Sequence, residues 1–526
     1  MPSEFDYDWI VIGSGFGGST SALRLSEKGY RVLVLEKGKR YAPSDFPKSN
    51  WDIKRWMWRP EVGLEGIFQM SFLPHITVLH GVGVGGGSLV YANTLPTPKA
   101  SFFQAASWSH LANWAAELEP HYQTARRMLG SAQNPTLTRG DRVLADIAKD
   151  IGKEQDFHPT DVAVFFGEPG KEVPDPYFKG QGPARTGCTA CGACMTGCRV
   201  GAKNTLDRNY LYLAEKLGAV VRSETEVTSV RPMQNKGYSV FTKRSLGQSA
   251  EHTFTAKNVI FAGGVMGTVP LLLALRADPA ALPKLSARVG DMVRTNNEAL
   301  IGIISGERDA DFSKGVAITS ILETDEHSHI EPVRYAEGSG FFRTMVLPHA
   351  PGAHLLARLG RVAAGLLASP VRWARALTVD DFAKRTQILL YMRTLEGTLS
   401  LRFGRGLMTG FQKGLVSKLD PGTPAPSAFM KEATELAERF AAKVDGVTMT
   451  LLTETVLGIP TTAHILGGAC MGSDAKAGVI DHQHRVFGYD GLYVIDGSAV
   501  SANPGVNPSL TITALAERAM SFIPNR

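Results

Sequence analysis

The run Asp8-Trp-Ile-Val-Ile12, Gly13-Ser-Gly-Phe-Gly-Gly18, Ser19-Thr-Ser-Ala-Leu-Arg-Leu-Ser-Glu-Lys28, continued after Gly29 by Arg31-Val-Leu-Val-Leu-Glu36, decides the fold. Its apolar ends read as buried strands and its middle as a helix closed by glycine, so the stretch is a complete β-α-β unit. The glycines sit where such a unit receives a dinucleotide. Gly13 permits the tight turn, Gly15 lets the backbone approach a pyrophosphate, and Gly18 lets helix and strand pack closely; Ser14 and Phe16 belong to the same phosphate-facing turn. Glu36, eighteen residues beyond Gly18, ends the second strand where a carboxylate accepts bonds from ribose hydroxyls. The expected class is α/β, with a parallel sheet at its centre.

Farther along, Leu79-His-Gly-Val-Gly-Val-Gly-Gly-Gly-Ser-Leu-Val-Tyr-Ala-Asn-Thr94 is too rich in glycine for a helix interior. It reads as a loop with positive φ angles and accessible N–H groups. Near the other end stand His464-Ile-Leu-Gly-Gly468, Leu492-Tyr-Val-Ile-Asp-Gly-Ser498 and Gly505-Val-Asn-Pro-Ser-Leu-Thr511. Val494 and Ile495 read as a buried strand stopped by Asp496 and Gly497. Pro508 suits the first turn of a helix whose free N–H groups face an electron-rich ligand. Together these blocks resemble the glucose–methanol–choline (GMC) family of FAD-dependent alcohol oxidoreductases, most of all its cholesterol oxidase-like branch. The resemblance spans most of the chain. Thr225-Glu-Val227 is similar to the strand whose backbone meets adenine, and Val259-Ile-Phe-Ala-Gly-Gly264 to the strand and turn that return to the cofactor.

The resemblance implies FAD in a discontinuous Rossmann-like domain, residues 1–98, 186–295 and 460–526, with a second α+β region, 99–185 and 296–459, covering the substrate. The branch includes both covalent and non-covalent linkage, His80 adjoins the glycine block, and non-covalent FAD is the expectation. It implies cofactor contacts at Gly83, Gly87, Ser88, Asn93, Val227, Gly263, Asp496, Gly497, Asn507 and Ser509, besides Gly13, Ser14, Gly15, Phe16, Gly18 and Glu36. Alcohol oxidation needs a group to receive the hydroxyl proton and a hydride acceptor on the other side of the carbon. His464 and Asn507 match the histidine and asparagine that face the flavin in this branch. Glu331, in His329-Ile-Glu-Pro-Val-Arg-Tyr335, resembles the carboxylate placed near the steroid ring, where burial would raise its pKa and let it shuttle protons. The expected reaction is oxidation of a hydrophobic secondary alcohol, a sterol or steroid 3-hydroxyl, by hydride transfer to flavin. Two alternatives stand beside it: flavin-dependent dehydrogenation or reduction of a ketosteroid carbon–carbon bond, and an electron-transfer flavoprotein that docks a protein redox partner.

Four of the five cysteines lie in Cys188-Thr-Ala-Cys-Gly-Ala-Cys-Met-Thr-Gly-Cys198. This is ferredoxin spacing, and Cys188, Cys191, Cys194 and Cys198 are expected to hold a 4Fe-4S or 3Fe-4S cluster, with Cys470 as another candidate fourth ligand. Zinc and an unmetallated knot are the alternatives. A cluster would take electrons singly from flavin and pass them to an acceptor protein, so a dehydrogenase is expected rather than an oxidase.

At 526 residues, 44% of them hydrophobic, the chain can bury a large core and should divide into at least two domains. Net charge is +6 and no aromatic-basic motif accompanies it, which excludes nucleic acid as the expected partner. The charge is concentrated: residues 351–420 hold eleven Lys/Arg against four Asp/Glu. Within that stretch Leu355, Leu356, Leu359, Val362, Ala363, Leu366 and Leu367 fall on one helical face with Arg358 and Arg361 off it. A solvated helix packed on the protein is the plainer expectation, and peripheral contact with anionic lipid is the other. A further solvated helix is expected at 429–443, and a linker or turn at Asp420–Pro426. The sequence shows neither a basic n-region with a cleavable apolar stretch nor a run of transmembrane length, so the expected location is cytoplasmic.

Overall fold

The β-α-β unit forms as its pattern requires in a computed structural model that describes residues 4–234, 236–248, 250–420, 422 and 424–526. Pro421 and Thr423 of the Asp420–Pro426 cluster therefore lie outside the described residues. Strand Tyr7–Ile12 pairs in parallel with Val32–Leu35, and helix α1 (Phe16–Glu27) makes the crossover. α1 starts three residues earlier than its apolar pattern indicates, because Gly17 and Gly18 are drawn into its first turn. A Cβ at Gly17 would lie 1.7 Å from the Ile495 carbonyl oxygen, and one at Gly18 would lie 2.1 Å from that of Gly13. Only glycine allows the helix to sit so close to both strands.

The first sheet runs Val220–Arg222, Val32–Leu35, Tyr7–Ile12, Glu251–Phe261, Tyr238–Arg244, Thr225–Pro232. Glu251–Phe261 serves two partners. Its first half pairs antiparallel with Tyr238–Arg244, and its last residues take Leu492–Val494 in parallel, Val259 opposite Leu492. Val32–Leu35 is buried throughout, as a parallel strand covered on both faces must be. The carboxyl ends of the parallel strands converge, which is where open α/β sheets bind ligands.

The second sheet is antiparallel, in the order Val346–Pro348, Val447–Leu451, Ala299–Ile304, Thr386–Arg393, Ser328–Val333, Ser320–Glu323, Phe157–Pro159. Helices Arg139–Asp150 and Lys431–Lys443 back it, the latter burying Ala433, Leu436, Ala437, Phe440 and Ala441 against it. All strands of the first sheet come from 1–98, 186–295 and 460–526, and all strands of the second from 99–185 and 296–459. More than one segment crosses that division, since Leu399 and Leu401 also lie in the first core. Residues 100–129 pack into the first core: Trp108 stacks on Trp114 at 4.2 Å and the Tyr122 hydroxyl meets Thr511 Oγ1 at 3.0 Å.

Two helices on the second unit, α2 (Leu355–Ala368) and α3 (Pro370–Leu377), lie at the surface, and α4 (Ser509–Ser521) packs on α1 in the first core. No helix among the described residues is long and apolar enough to cross a membrane.

Candidate active site

A cavity of about 710 Å3 runs from the carboxyl ends of the first sheet to one face of the second. Its first part is built of glycine turns. At Gly15 nothing lies within 4 Å of where a Cβ would stand, so the missing side chain leaves room in the cavity itself. α1 begins there with no side-chain cap and no acidic residue in its first turn, so its unpaired N–H groups and positive dipole end face the cavity. The second glycine block touches the first: a Cβ at Gly86 would lie 2.7 Å from Gly15 Cα. Glu36 accepts from the Ser14 hydroxyl (2.7 Å), the Ser14 N–H (3.1 Å) and the Gly38 N–H (2.9 Å), and lies on the same wall. A long dinucleotide suits this cradle, in which the open backbone at Gly15 and the Glu36 carboxylate are the groups that would hold its pyrophosphate and a ribose.

Most expected cofactor positions lie on that wall: Gly13, Ser14, Gly15, Phe16, Glu36, Gly87, Val227, Gly263, Asp496, Gly497, Asn507 and Ser509. Asp496 spends its carboxylate on the protein, accepting from Ser498 N–H (2.8 Å) and Oγ (2.5 Å), Gly264 N–H (2.8 Å) and Thr268 Oγ1 (2.5 Å). It pins the two turns that carry Gly263 and Gly497. Gly83, Ser88 and Asn93 lie behind that wall and make other contacts in this structure. The Ser88 hydroxyl donates to Gly85 O (2.7 Å) and accepts from Leu206 N–H (3.0 Å), Gly83 packs on the Tyr41 ring, and Asn93 is buried in a left-handed turn at φ 70°. They shape the loop whose N–H groups were expected to do the binding. Gly18 acts as expected, by packing.

His464 and Asn507 share the cavity wall. His464 Nδ1 lies 2.5 Å from Glu298 Oε2, and Glu298 Oε1 accepts the Ala463 N–H at 2.6 Å. Glu298 is 3% exposed. Backbone pairing brings the two together: Arg294 N–H donates to Leu466 O (2.8 Å) and Leu466 N–H to Arg294 O (2.9 Å), which sets 294–298 beside 464–466. Asn296, at φ 59°, donates to Val506 O (2.9 Å) and so holds the turn that presents Asn507. Burial by itself would lower the His464 pKa, but the Glu298 carboxylate outweighs it, and the net shift is upward, with a further push from Glu331. The Asn507 side-chain oxygen is buried without a hydrogen-bond partner among the described residues.

Glu331 is fully buried in Ser328–Val333 and does not reach the wall. By strand alternation it faces the same side as Val333, which does. Its Oε1 lies 3.3 Å from His329 Nε2. Sequence reading missed Glu298, and it also missed Glu454, a carboxyl that burial pushes up to about 8 and that accepts the Thr461 N–H at 3.2 Å. The one local signal for Glu298 is an acid just ahead of the alternating strand Ala299–Ile304. Nothing local connects it to a histidine 166 positions away.

The expected metal centre finds no support. Among the described residues no three His, Cys, Asp or Glu side chains come together as a group that could hold a metal ion, and all five cysteines are free. Cys188, Cys194 and Cys198 pack instead with Val162, Val164, Ala202 and Val316, while Cys191 is exposed. Burial pushes the Cys188 thiol up to about 12. The arrangement of Cys188, Cys191, Cys194 and Cys198 thus gives no support to an iron–sulfur cluster or zinc. The segment has another use: its turn delivers Met195 to the cavity wall beside Ile318, Val333 and Leu390. Lys203 ties it there, donating to Leu89 O (3.0 Å), Tyr91 O (2.9 Å) and Cys194 O (2.8 Å).

Family models described as GMC oxidoreductase match residues 183–276 and 423–516, and one described as an NAD(P)-binding Rossmann-like domain matches 11–43. A cholesterol oxidase of Acinetobacter baumannii is 44% identical, covering 99% of this chain and 95% of that protein. A cholesterol oxidase of Mycobacterium tuberculosis is 46% identical, covering 99% and 92%. Among solved structures, pyridoxine 4-oxidase from Mesorbium loti superposes with a TM-score of 0.62 at 15% identity, covering 98% of this chain and 99% of that one, a likeness of fold. The chain therefore belongs to the GMC oxidoreductase family, and within it to the cholesterol oxidase-like proteins.

Proposed function

We propose that this protein is an FAD-dependent oxidoreductase that oxidises the 3-hydroxyl of a sterol or steroid. One observation carries the reading: a histidine with Nδ1 locked by a buried carboxylate sits between a dinucleotide cradle and an apolar chamber. The chamber is walled by Leu300, Ile318, Val333, Leu390, Met195 and Met449, which suits a rigid hydrophobic ring system and excludes water. The two relatives called cholesterol oxidase support the substrate class.

FAD, when bound, supplies the hydride acceptor. The protein side is done by four residues. With Nδ1–H donated to Glu298, the His464 lone pair sits on Nε2, where it accepts the hydroxyl proton as hydride leaves the same carbon. Glu298 then stabilises the imidazolium, which the raised pKa of His464 expresses. Asn507 lies on the same wall and its amide orients the substrate oxygen. Glu331 stands behind the wall and acts on His464 through its charge. Without a cluster to relay single electrons, nothing favours a dehydrogenase over an oxidase, and turnover in air against turnover with an artificial acceptor identifies the acceptor. An enclosed chamber beside a polarised histidine is of no use to an electron carrier.

Anaerobic mixing with a 3-hydroxysteroid should bleach the flavin absorbance. Bleaching by a reduced protein partner and by no alcohol, or an absorbance change with ketosteroids alone, would overturn the reading.

A further inference from the structure

The chamber changes character at the end away from His464. Along strand Thr386–Arg393 the residues that line it are Leu390, Ile388 and Thr386, every second position, as strand alternation requires. Leu390 stands opposite Leu300 and Thr386 opposite Ile304, so the row leads away from Glu298 and the histidine it holds. From Leu390 to Thr386 is four residues of strand, roughly 14 Å. A second, small pocket of about 20 Å3 adjoins the chamber there. Tyr335, Phe342, Phe382, Thr386 and Ile388 line both, and Ser339 and Asn50 line the small one. Its volume is that of one water or one substrate oxygen.

This small pocket is polar, and its polar groups are unsatisfied. Ser339 is 2% exposed and Thr386 6%, and neither hydroxyl has a hydrogen-bond partner among the described residues. A buried hydroxyl with no partner is costly, so two on the wall of one pocket call for an occupant that can bond them. The pocket is also held in shape. Gly338 N–H donates to Asp381 Oδ2 (2.8 Å) while Asp381 Oδ1 accepts from Ala383 N–H (3.0 Å), which ties the Ser339 turn to the short helix leading into Thr386. On the other side Asn50 Oδ1 accepts the Phe341 N–H at 3.0 Å.

We infer that the pocket is a subsite for a hydroxyl on the end of the substrate remote from the reacting carbon, bonded by Ser339 and Thr386, so that the preferred sterol is one hydroxylated on its side chain. Calling the ligand a sterol rests on the proposed function; the subsite does not. A hydrocarbon tail reaching the same place would leave both hydroxyls unpaired, and the pocket therefore discriminates against it.

The test uses the FAD-loaded protein with cholesterol and with cholesterol hydroxylated at the end of its side chain, each also as its 3-ketone. Titration with the ketones, followed by flavin absorbance, gives Kd without turnover. Wild type should bind the hydroxylated ketone ~10-fold or more tighter than the other. T386V and S339A should each lose part of that preference and T386V/S339A nearly all of it, because the hydrocarbon ligand no longer strands a hydroxyl. A purely structural role for these residues would shift both ligands together and leave their ratio alone. Flavin content and melting temperature report folding, and the single variants decide if the double one does not load flavin. Wild type that binds both ketones alike, or variants that keep the wild-type ratio, overturn the inference. Anaerobic bleaching by the two 3-hydroxysterols is read separately. Selective binding of the hydroxylated ketone with no bleaching by either sterol would sink the oxidation reading and leave the subsite standing, whereas bleaching by both with equal affinities sinks the subsite alone.

Discussion

Replacing Glu298 by glutamine keeps the shape of its contact with His464 and changes its electrostatics in two ways. The carboxylate now has one oxygen for the Ala463 N–H at 2.6 Å and another for His464 Nδ1 at 2.5 Å. A glutamine has one oxygen for both. If that oxygen stays with Ala463, the amide NH2 meets Nδ1, and the imidazole must move its proton to Nε2, the atom that has to accept from the substrate. Loss of the charge-assisted bond alone is worth about 1.5–3 kcal/mol, or about 10- to 150-fold in the chemical step. Inverting the tautomer raises the ceiling to ~10⁴-fold, the size of the effect when the orienting acid of a serine protease is made an amide. The pH profile changes as well. Wild-type His464 titrates above the ordinary histidine value, so the acid limb of activity should lie above about pH 6.5 and move to lower pH in Glu298→Gln. Stopped-flow bleaching of the flavin across pH measures both. A loss below about threefold, with the acid limb unmoved, would refute the assignment of Glu298 as the residue that positions His464.

Four other outcomes follow from the same geometry. Gly15→Ala should fold and lose FAD affinity, because its Cβ enters the open cradle at an ordinary φ of −72°, whereas Gly17→Ala should yield no soluble flavoprotein, its Cβ lying 1.7 Å from Ile495 O; equal flavin content in both would contradict the cradle. Because His464 holds its proton more tightly folded than unfolded, its pairing with Glu298 stabilises fully below about pH 6.5 and is lost as pH rises through the folded value. Denaturant titrations should therefore show the gap between wild type and Glu298→Gln closing as pH rises, and a gap that widens would reverse the sign. Met195→Asn should raise KM for a sterol roughly tenfold by burying an unpaired amide in the chamber, while Cys191→Ser, on the exposed turn, leaves turnover as it is. Acid precipitation should free the flavin into the supernatant, and a yellow pellet would point to His80, which lies on the cavity wall, as the covalent anchor.

Local pattern was enough for the parts of this protein whose physics is local. The β-α-β unit, the carboxylate ending its second strand and the helix that begins just after Pro508 depend on side-chain period and on glycine and proline within a few residues of one another. His464 and Asn507 were also legible, because each stands in a motif, before Gly467 and before Pro508. Three things needed the tertiary structure. Glu298 meets His464 only because a two-residue bridge at Arg294 and Leu466 aligns segments 166 positions apart. Short spacers between cysteines permit convergence without forcing it, and packing on Val162, Val164 and Val316 drew three thiols into an apolar wall. The periodicity of α2 shows that it has an apolar face and not that this face turns outward. That direction was decided by Arg358 finding three backbone carbonyls, since a buried guanidinium must be satisfied and a leucine need not be.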